Sequence, residues 1–146
     1  MIYLDSSALV KRYLKETGTD VVNSIILSSK AKATSKLSYP EILSAFARKH
    51  RTNEIGHGLF HSAINKFEGD WLQLYVIEFS DEILQPIKQI SQKYPLKAAD
   101  TVHLASALWL RSSTKADVTF VASDSRLLEA AQRENLQIVN PLDEAK

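Results

Sequence analysis

M-I-Y-L-D-S-S-A-L-V, residues 1–10, is the stretch from which the rest of the chain can be read. Met1–Asp5 is a short apolar run with the composition of a buried strand, and it stops at an acid. Two small hydroxyl residues follow, and Ala8–Leu14 then reads as a short helix that Thr17-Gly18 terminates. A strand that hands over through an acid to a helix is the first half of a strand–helix–strand unit. Val118–Ala122 repeats the arrangement near the other end: an apolar strand, then Asp124, then a helix over Arg126–Glu134.

Between these units the same alternation continues. Asp20–Ser29 carries Val21, Val22, Ile25 and Ile26 at helical spacing, and Ala31–Thr34 is a short strand. Pro40–His50 is a helix with proline in its first turn and Ile42, Leu43 and Phe46 on one face. A second helix around Glu54–Trp71 pairs with it. Tyr75–Phe79 is a strand, Glu82–Lys93 a helix that tolerates Pro86 near its start, and Ala98–Leu110 a helix with a strong apolar face. Gln137–Val139 closes the series as a last strand before Asn140-Pro141. Strands alternating with helices predict an α/β fold: a parallel sheet of about four to five strands, covered on both faces. In such sheets the ligand crevice lies beyond the carboxyl ends of the strands.

The 146 residues form one expected domain over residues 1–146, with a hydrophobic fraction of 45% and a charged fraction of 24% that exclude a disordered or fibrous chain. No apolar run approaches the ~20 residues of a membrane span. Asp5 interrupts the position where a secretory leader needs its basic start and apolar middle, which argues for a cytoplasmic protein. There is no cysteine, so disulfides, thiolate metal sites and cysteine nucleophiles are excluded. The net charge of +1 conceals an asymmetry. Lys11, Arg12, Lys15, Lys30, Lys32, Lys36, Arg48, Lys49 and Arg51 all fall between Val10 and Thr52, against only Glu16, Asp20 and Glu41. Such a basic sector suits a polyanion, although a solvated lysine-rich surface gives the same pattern.

Four acids fall where the fold would bring them together. Asp5 and Asp124 follow strands, and Glu41 and Asp100 sit in first helical turns, so all four belong to the carboxyl edge of the sheet. Taken singly, each has a structural reading. Asp5 and Asp124 fit as helix N-caps, Ser38-Tyr39-Pro40-Glu41 matches a capping box, and Asp100 complements a helix dipole. Taken together, four carboxylates repel one another unless a cation compensates them. Mg²⁺ or Mn²⁺ suits an all-oxygen set of this kind. A carboxylate-held metal beside a basic sector points to phosphodiester hydrolysis without a protein nucleophile.

These residues resemble the PIN-domain nucleases, and among them the VapC-type toxins of toxin–antitoxin pairs. The resemblance rests on residues 1–10, on S-Y-P-E-I-L-S-A-F-A at 38–47, on L-K-A-A-D-T-V-H-L-A-S-A at 96–107, and on F-V-A-S-D-S-R-L-L at 120–128. It implies a three-layer α/β/α fold and a divalent-metal endoribonuclease acting on RNA, with Asp5, Glu41, Asp100 and Asp124 as catalytic metal-holding residues. It further implies a supporting hydroxyl at Ser6, a homodimer and a cognate antitoxin. Lys11, Arg12, Lys15, Arg48 and Lys49 are the candidates for RNA-backbone contacts. Two positions depart from the pattern: Ala122 stands where many relatives carry Thr, and Ala99 where many carry Arg.

Other features are set aside. His57 and His61 share a helix face but lack the further ligand and Glu of a zinc hydrolase. His103, one turn after Asp100, reads as a structural polar contact within its helix. Trp71 and Trp109 read as core or interface residues. Asp117 lies before its strand, at the wrong edge. No phosphate loop, G-x-G-x-x-G or G-x-S-x-G occurs. The alternative to a nuclease is a catalytically silent PIN-like module that binds RNA or protein. A phosphoacceptor receiver would need paired acids after its first strand, and a small-substrate phosphatase a D-x-D start. Neither pattern is present.

Overall fold

A computed structural model describes residues 1–144. Five strands, β1 (Ile2–Leu4), β2 (Lys32–Ser35), β3 (Tyr75–Ile77), β4 (Thr119–Val121) and β5 (Gln137–Val139), form one sheet in the order β3-β2-β1-β4-β5. Every neighbouring pair is parallel. The strands are only three or four residues long, so the sheet is a narrow platform and its carboxyl edge is close to every strand. The chain order reverses between β1 and β4, which leaves a crevice at that edge.

The helices are α1 (Ser6–Leu9), α2 (Thr19–Ser28), α3 (Ser38–Arg51), α4 (His57–Trp71), α5 (Leu84–Lys93), α6 (Ala98–Thr114), α7 (Ser125–Arg133) and α8 (Pro141–Glu144), with 3₁₀ turns at Val10–Arg12 and Asp81–Ile83. The expected Ala8–Leu14 helix is therefore a four-residue helix that tightens into a 3₁₀ turn, and the Glu82–Lys93 helix begins with another. Alternation of side chains along the strands splits the core in two. Tyr3, Ala33, Ile77, Phe120 and Ala122 face Ile90, Leu104, Ala105, Leu110 and Leu127 on one side. Ile2, Leu4 and Val121 face Leu9, Val22, Ile42, Phe46 and Phe67 on the other. Each large apolar side chain buried in these layers contributes about 1.5–3 kcal/mol.

Trp71 belongs to the second layer. Its ring meets Tyr39 and Phe67 edge-on at 5.2 and 5.5 Å between centroids. Trp109 donates its indole N–H to Glu82 at 2.9 Å. Gly18, with φ of 95°, occupies the left-handed region before α2, and a Cβ there would meet Pro141 at 3.0 Å. Among the described residues no helix is long and apolar enough to cross a membrane.

Candidate active site

The site is assembled by short polar contacts that tie strand ends to helix starts. The Asp5 N–H donates to the carbonyl of Val121 at 2.9 Å, which joins the ends of β1 and β4. Asp5 then caps α1. Its Oδ2 accepts the Ser7 N–H at 3.1 Å and the Ser7 hydroxyl at 2.5 Å. The Ser7 oxygen in turn accepts the Ser123 N–H at 3.0 Å, so one hydroxyl links Asp5 to the loop that carries Asp124. Asp124 caps α7 through Oδ1, which accepts the Leu127 N–H at 3.0 Å. Both capping readings are thus correct, and neither exhausts the carboxylate. Capping uses one oxygen of each, and the second remains.

Glu41 is placed differently from the capping box read in the sequence. Helix α3 begins with Leu37 at its cap and no side-chain bond there. The Ser38 hydroxyl is paired instead with Thr34 at 2.6 Å, and Thr34 also donates to the carbonyl of Leu4 at 2.6 Å. With Ser38 engaged below, Glu41 turns to His103, whose Nε2 lies 2.6 Å from Oε1. His103 is buried, its Nδ1 lies 2.7 Å from the Tyr3 hydroxyl, and its Nε2 is 3.5 Å from Asp5 Oδ1. That long approach leaves Asp5 Oδ1 buried without a hydrogen bond. His103 therefore bridges three elements, where the sequence reading favoured a contact within its own helix over a catalytic role.

Asp5, Glu41, Asp100 and Asp124 all line one cavity of about 250 Å³, together with Ser6, Ser7, Ile42 and Arg48. Burial, followed by the charges of Asp5 and Asp124, pushes the Asp100 carboxyl above its ordinary pKa. Burial alone would lower the pKa of His103, but Asp5, Glu41 and Asp100 together outweigh it and raise it. The donor set is hard oxygen, its charges repel, and one buried oxygen lacks a partner, all of which fit a divalent cation. Among the described residues no three His, Asp or Glu side chains stand as a ready-made metal-holding group.

No protein-family model matches the chain. Residues of this chain are 31% identical over 108 positions to the Ribonuclease VapC45 of Mycobacterium tuberculosis (strain CDC 1551 / Oshkosh), covering 74% of this chain and 75% of that protein. The chain belongs to the VapC ribonuclease family. Its fold is that of the family's PIN domain. FitAcB from Neisseria gonorrhoeae superposes with a TM-score of 0.71 at 17% identity, over 97% of this chain and 98% of that one. VapBC2 from Rickettsia felis, bound to a DNA fragment from its promoter, superposes with a TM-score of 0.65 at 17% identity, over 96% and 98%.

Within this VapC-family chain the five basic candidates divide. Arg48 lines the acidic cavity, is exposed, and forms no ion pair among the described residues. Lys15 is exposed beyond the Val10–Arg12 turn. Lys11 is a correction: it is buried, with its ammonium 2.9 Å from Glu16. Arg12 is half-buried and committed to Asp70 at 2.6 Å and Asn23 at 3.1 Å. Lys49 reaches the same Glu16 at 3.4 Å. These three cations share two internal acids, Glu16 and Asp70, which offset two of their three charges. Charge counting along the chain could not reveal this, because their partners include Asp70, far away in sequence. Ser6 faces the cavity, but the hydroxyl that grips Asp5 belongs to Ser7. The sequence reading missed Ser7 and Tyr3. Tyr3 carried one available signal: it lies two residues before Asp5 and so shares a sheet face with it.

Proposed function

We propose that this chain is a Mg²⁺- or Mn²⁺-dependent endoribonuclease that hydrolyses RNA phosphodiester bonds as the toxin of a toxin–antitoxin pair. The observation that carries the reading is the partnerless buried oxygen of Asp5 in a cavity walled by three further carboxylates. Asp5, Asp100, Asp124 and Glu41 would hold the cation. When bound, it would offset their repulsion, acidify water and neutralise charge on the phosphate under attack.

The chain's own residues prepare that chemistry. Ser7 fixes the Asp5 carboxylate, and the α1 cap prevents it from swinging away. His103 holds Glu41 against the cavity wall. Arg48, unpaired at the rim, contacts a phosphate next to the cleaved one, and Lys15 adds a weaker contact further out. The Ser6 hydroxyl faces the cavity and is free to hydrogen-bond a water or a phosphate oxygen.

A toxin–antitoxin complex from Klebsiella pneumoniae shares this fold, with a TM-score of 0.69 at 14% identity, which supports a cognate antitoxin as the partner of this chain. A homodimer, a single domain over residues 1–146 and a cytoplasmic location complete the proposal. The lack, among the described residues, of three side chains arranged as a ready-made metal-holding group is the feature that favours a silent RNA- or protein-binding module. The test is cleavage of an RNA panel by purified chain in EDTA, then with Mg²⁺ or Mn²⁺ restored. Metal-restored cleavage lost in Asp5→Asn supports the nuclease. A folded chain that cuts no RNA in either ion supports the silent module.

A further inference from the structure

Tyr3 sits in the middle of β1, fully buried, with its ring stacked on Phe120 at 5.3 Å and 4° between planes. A phenylalanine would fill that space and stack equally well. The hydroxyl is the surplus, and a buried hydroxyl needs a partner. Its hydrogen-bond partner is His103 Nδ1, at 2.7 Å. The other ring nitrogen of His103 faces Glu41 Oε1 at 2.6 Å and Asp5 Oδ1 at 3.5 Å. Each link stands on an element that supplies one of the acids: Tyr3 lies two residues before Asp5, His103 three after Asp100, and Glu41 is itself an acid of the cavity.

We propose that Tyr3 is a positioning residue, whose hydroxyl sets the His103 ring so that its Nε2–H holds Glu41 in the metal-binding arrangement. The inference rests on the acidic cavity being the metal site of the proposed nuclease. A hydroxyl can donate or accept, so Tyr3 satisfies Nδ1 whether the ring is neutral or charged. In the neutral ring the Tyr3 O–H donates to Nδ1, and in the imidazolium Nδ1–H donates to the Tyr3 oxygen. In both, Nε2–H is aimed at Glu41, and only the opposite neutral tautomer would turn a lone pair toward the carboxylate and release it. Tyr3 thus acts on the site through two intermediaries without reaching the cavity. Partners of this remote kind typically change metal affinity by about 10–100-fold when removed.

The experiment uses the full chain with Mn²⁺ as probe, its affinity read by electron paramagnetic resonance, and ¹⁵N spectra of labelled histidine to read the His103 tautomer. Tyr3→Phe is expected to keep its circular dichroism, weaken Mn²⁺ binding about 10-fold and change the His103 ring-nitrogen signals of the parent. In a Glu41→Ala background the same substitution is expected to change Mn²⁺ affinity by no more than about twofold, because its target is gone. Parent-like Mn²⁺ affinity in Tyr3→Phe overturns the proposal. So does an equal loss in both backgrounds, which would mark a packing effect independent of Glu41. Should Tyr3→Phe fail to fold, His103→Gln, which keeps an N–H for Glu41, is compared with His103→Leu. Tighter Mn²⁺ binding by the glutamine variant supports the inference, and equal binding overturns it. Asp5→Asn separates the two levels. If it binds Mn²⁺ and cuts RNA like the parent, the metal-site reading falls and the Tyr3 inference with it. If only the Tyr3 arm fails, that reading stands.

Discussion

The chain places carboxylates in two neighbourhoods with opposite electrostatics. At the junction of α4 with the Val10–Arg12 turn, Asp70 Oδ2 accepts from Arg12 at 2.6 Å and from the Tyr13 hydroxyl at 2.9 Å, and Arg12 also reaches Asn23. One acid meets one guanidinium, and the charges cancel. At the carboxyl edge of the sheet, four acids share a cavity with Arg48 in its wall and His103 behind it, and Asp5 Oδ1 stays without a hydrogen bond. A fold that can satisfy an aspartate as fully as Asp70 does not leave Asp5 Oδ1 orphaned by necessity. The first neighbourhood is a lock between helices, and the second is a site that awaits charge from outside.

Substitutions sharpen this contrast. The largest effect belongs to the unbalanced cluster: Asp5→Asn is expected to lower the rate of RNA cleavage by about three orders of magnitude, ~4 kcal/mol of barrier, with the fold retained. Single-turnover cleavage and circular dichroism check both halves. Asp70→Ala should do the reverse. It strands Arg12 and the Tyr13 hydroxyl and costs about 1–2 kcal/mol of stability, a modest figure because the pair is partly exposed, while cleavage at low temperature stays near the parent rate. Denaturant unfolding beside the same cleavage assay tests it, and equal losses in both assays from both variants would erase the distinction.

Smaller effects are expected at the rim. Arg48→Ala should raise KM several-fold with little change in kcat, and should reduce the salt slope of RNA binding by about 1. Lys11→Gln should leave the salt slope unchanged, since its charge is spent on Glu16. The smallest change in stability concerns Asp100. Its carboxylate is disfavoured by burial and by Asp5 and Asp124, so Asp100→Asn should slightly raise the melting temperature without metal while removing cleavage. A lower melting temperature in that variant would mean the cluster is not under repulsion.

Much of this was legible in the sequence. Short apolar runs mark the central strands β1 and β4, because a parallel strand buried on both faces has no room for polar alternation, whereas β2 is the polar K-A-T-S and the edge strands β3 and β5 are partly exposed. Strand-then-acid and acid-in-first-turn patterns place Asp5, Asp124, Glu41 and Asp100 at one edge, because parallel topology sends every strand the same way. What stayed hidden depends on three-dimensional competition. The Ser38 hydroxyl was lost to Thr34, which freed Glu41 from a capping box that looked complete. Ser7 rather than Ser6 grips Asp5, because the turn into α1 points the second hydroxyl back. Lys11 looked like a surface cation until the Val10–Arg12 turn folded it inward. The Tyr3–His103 bond spans 100 residues and exists only because α6 packs across β1.

The most direct test of the contrast is a Mn²⁺ titration of the parent, Asp5→Asn, Asp100→Asn and Asp70→Ala chains, with bound ion and melting temperature followed together. The account predicts saturable binding with a rise in melting temperature for the parent and Asp70→Ala, and neither for the two cavity variants. Indistinguishable binding in all four chains, or none in a parent that still cuts RNA in EDTA, would contradict it.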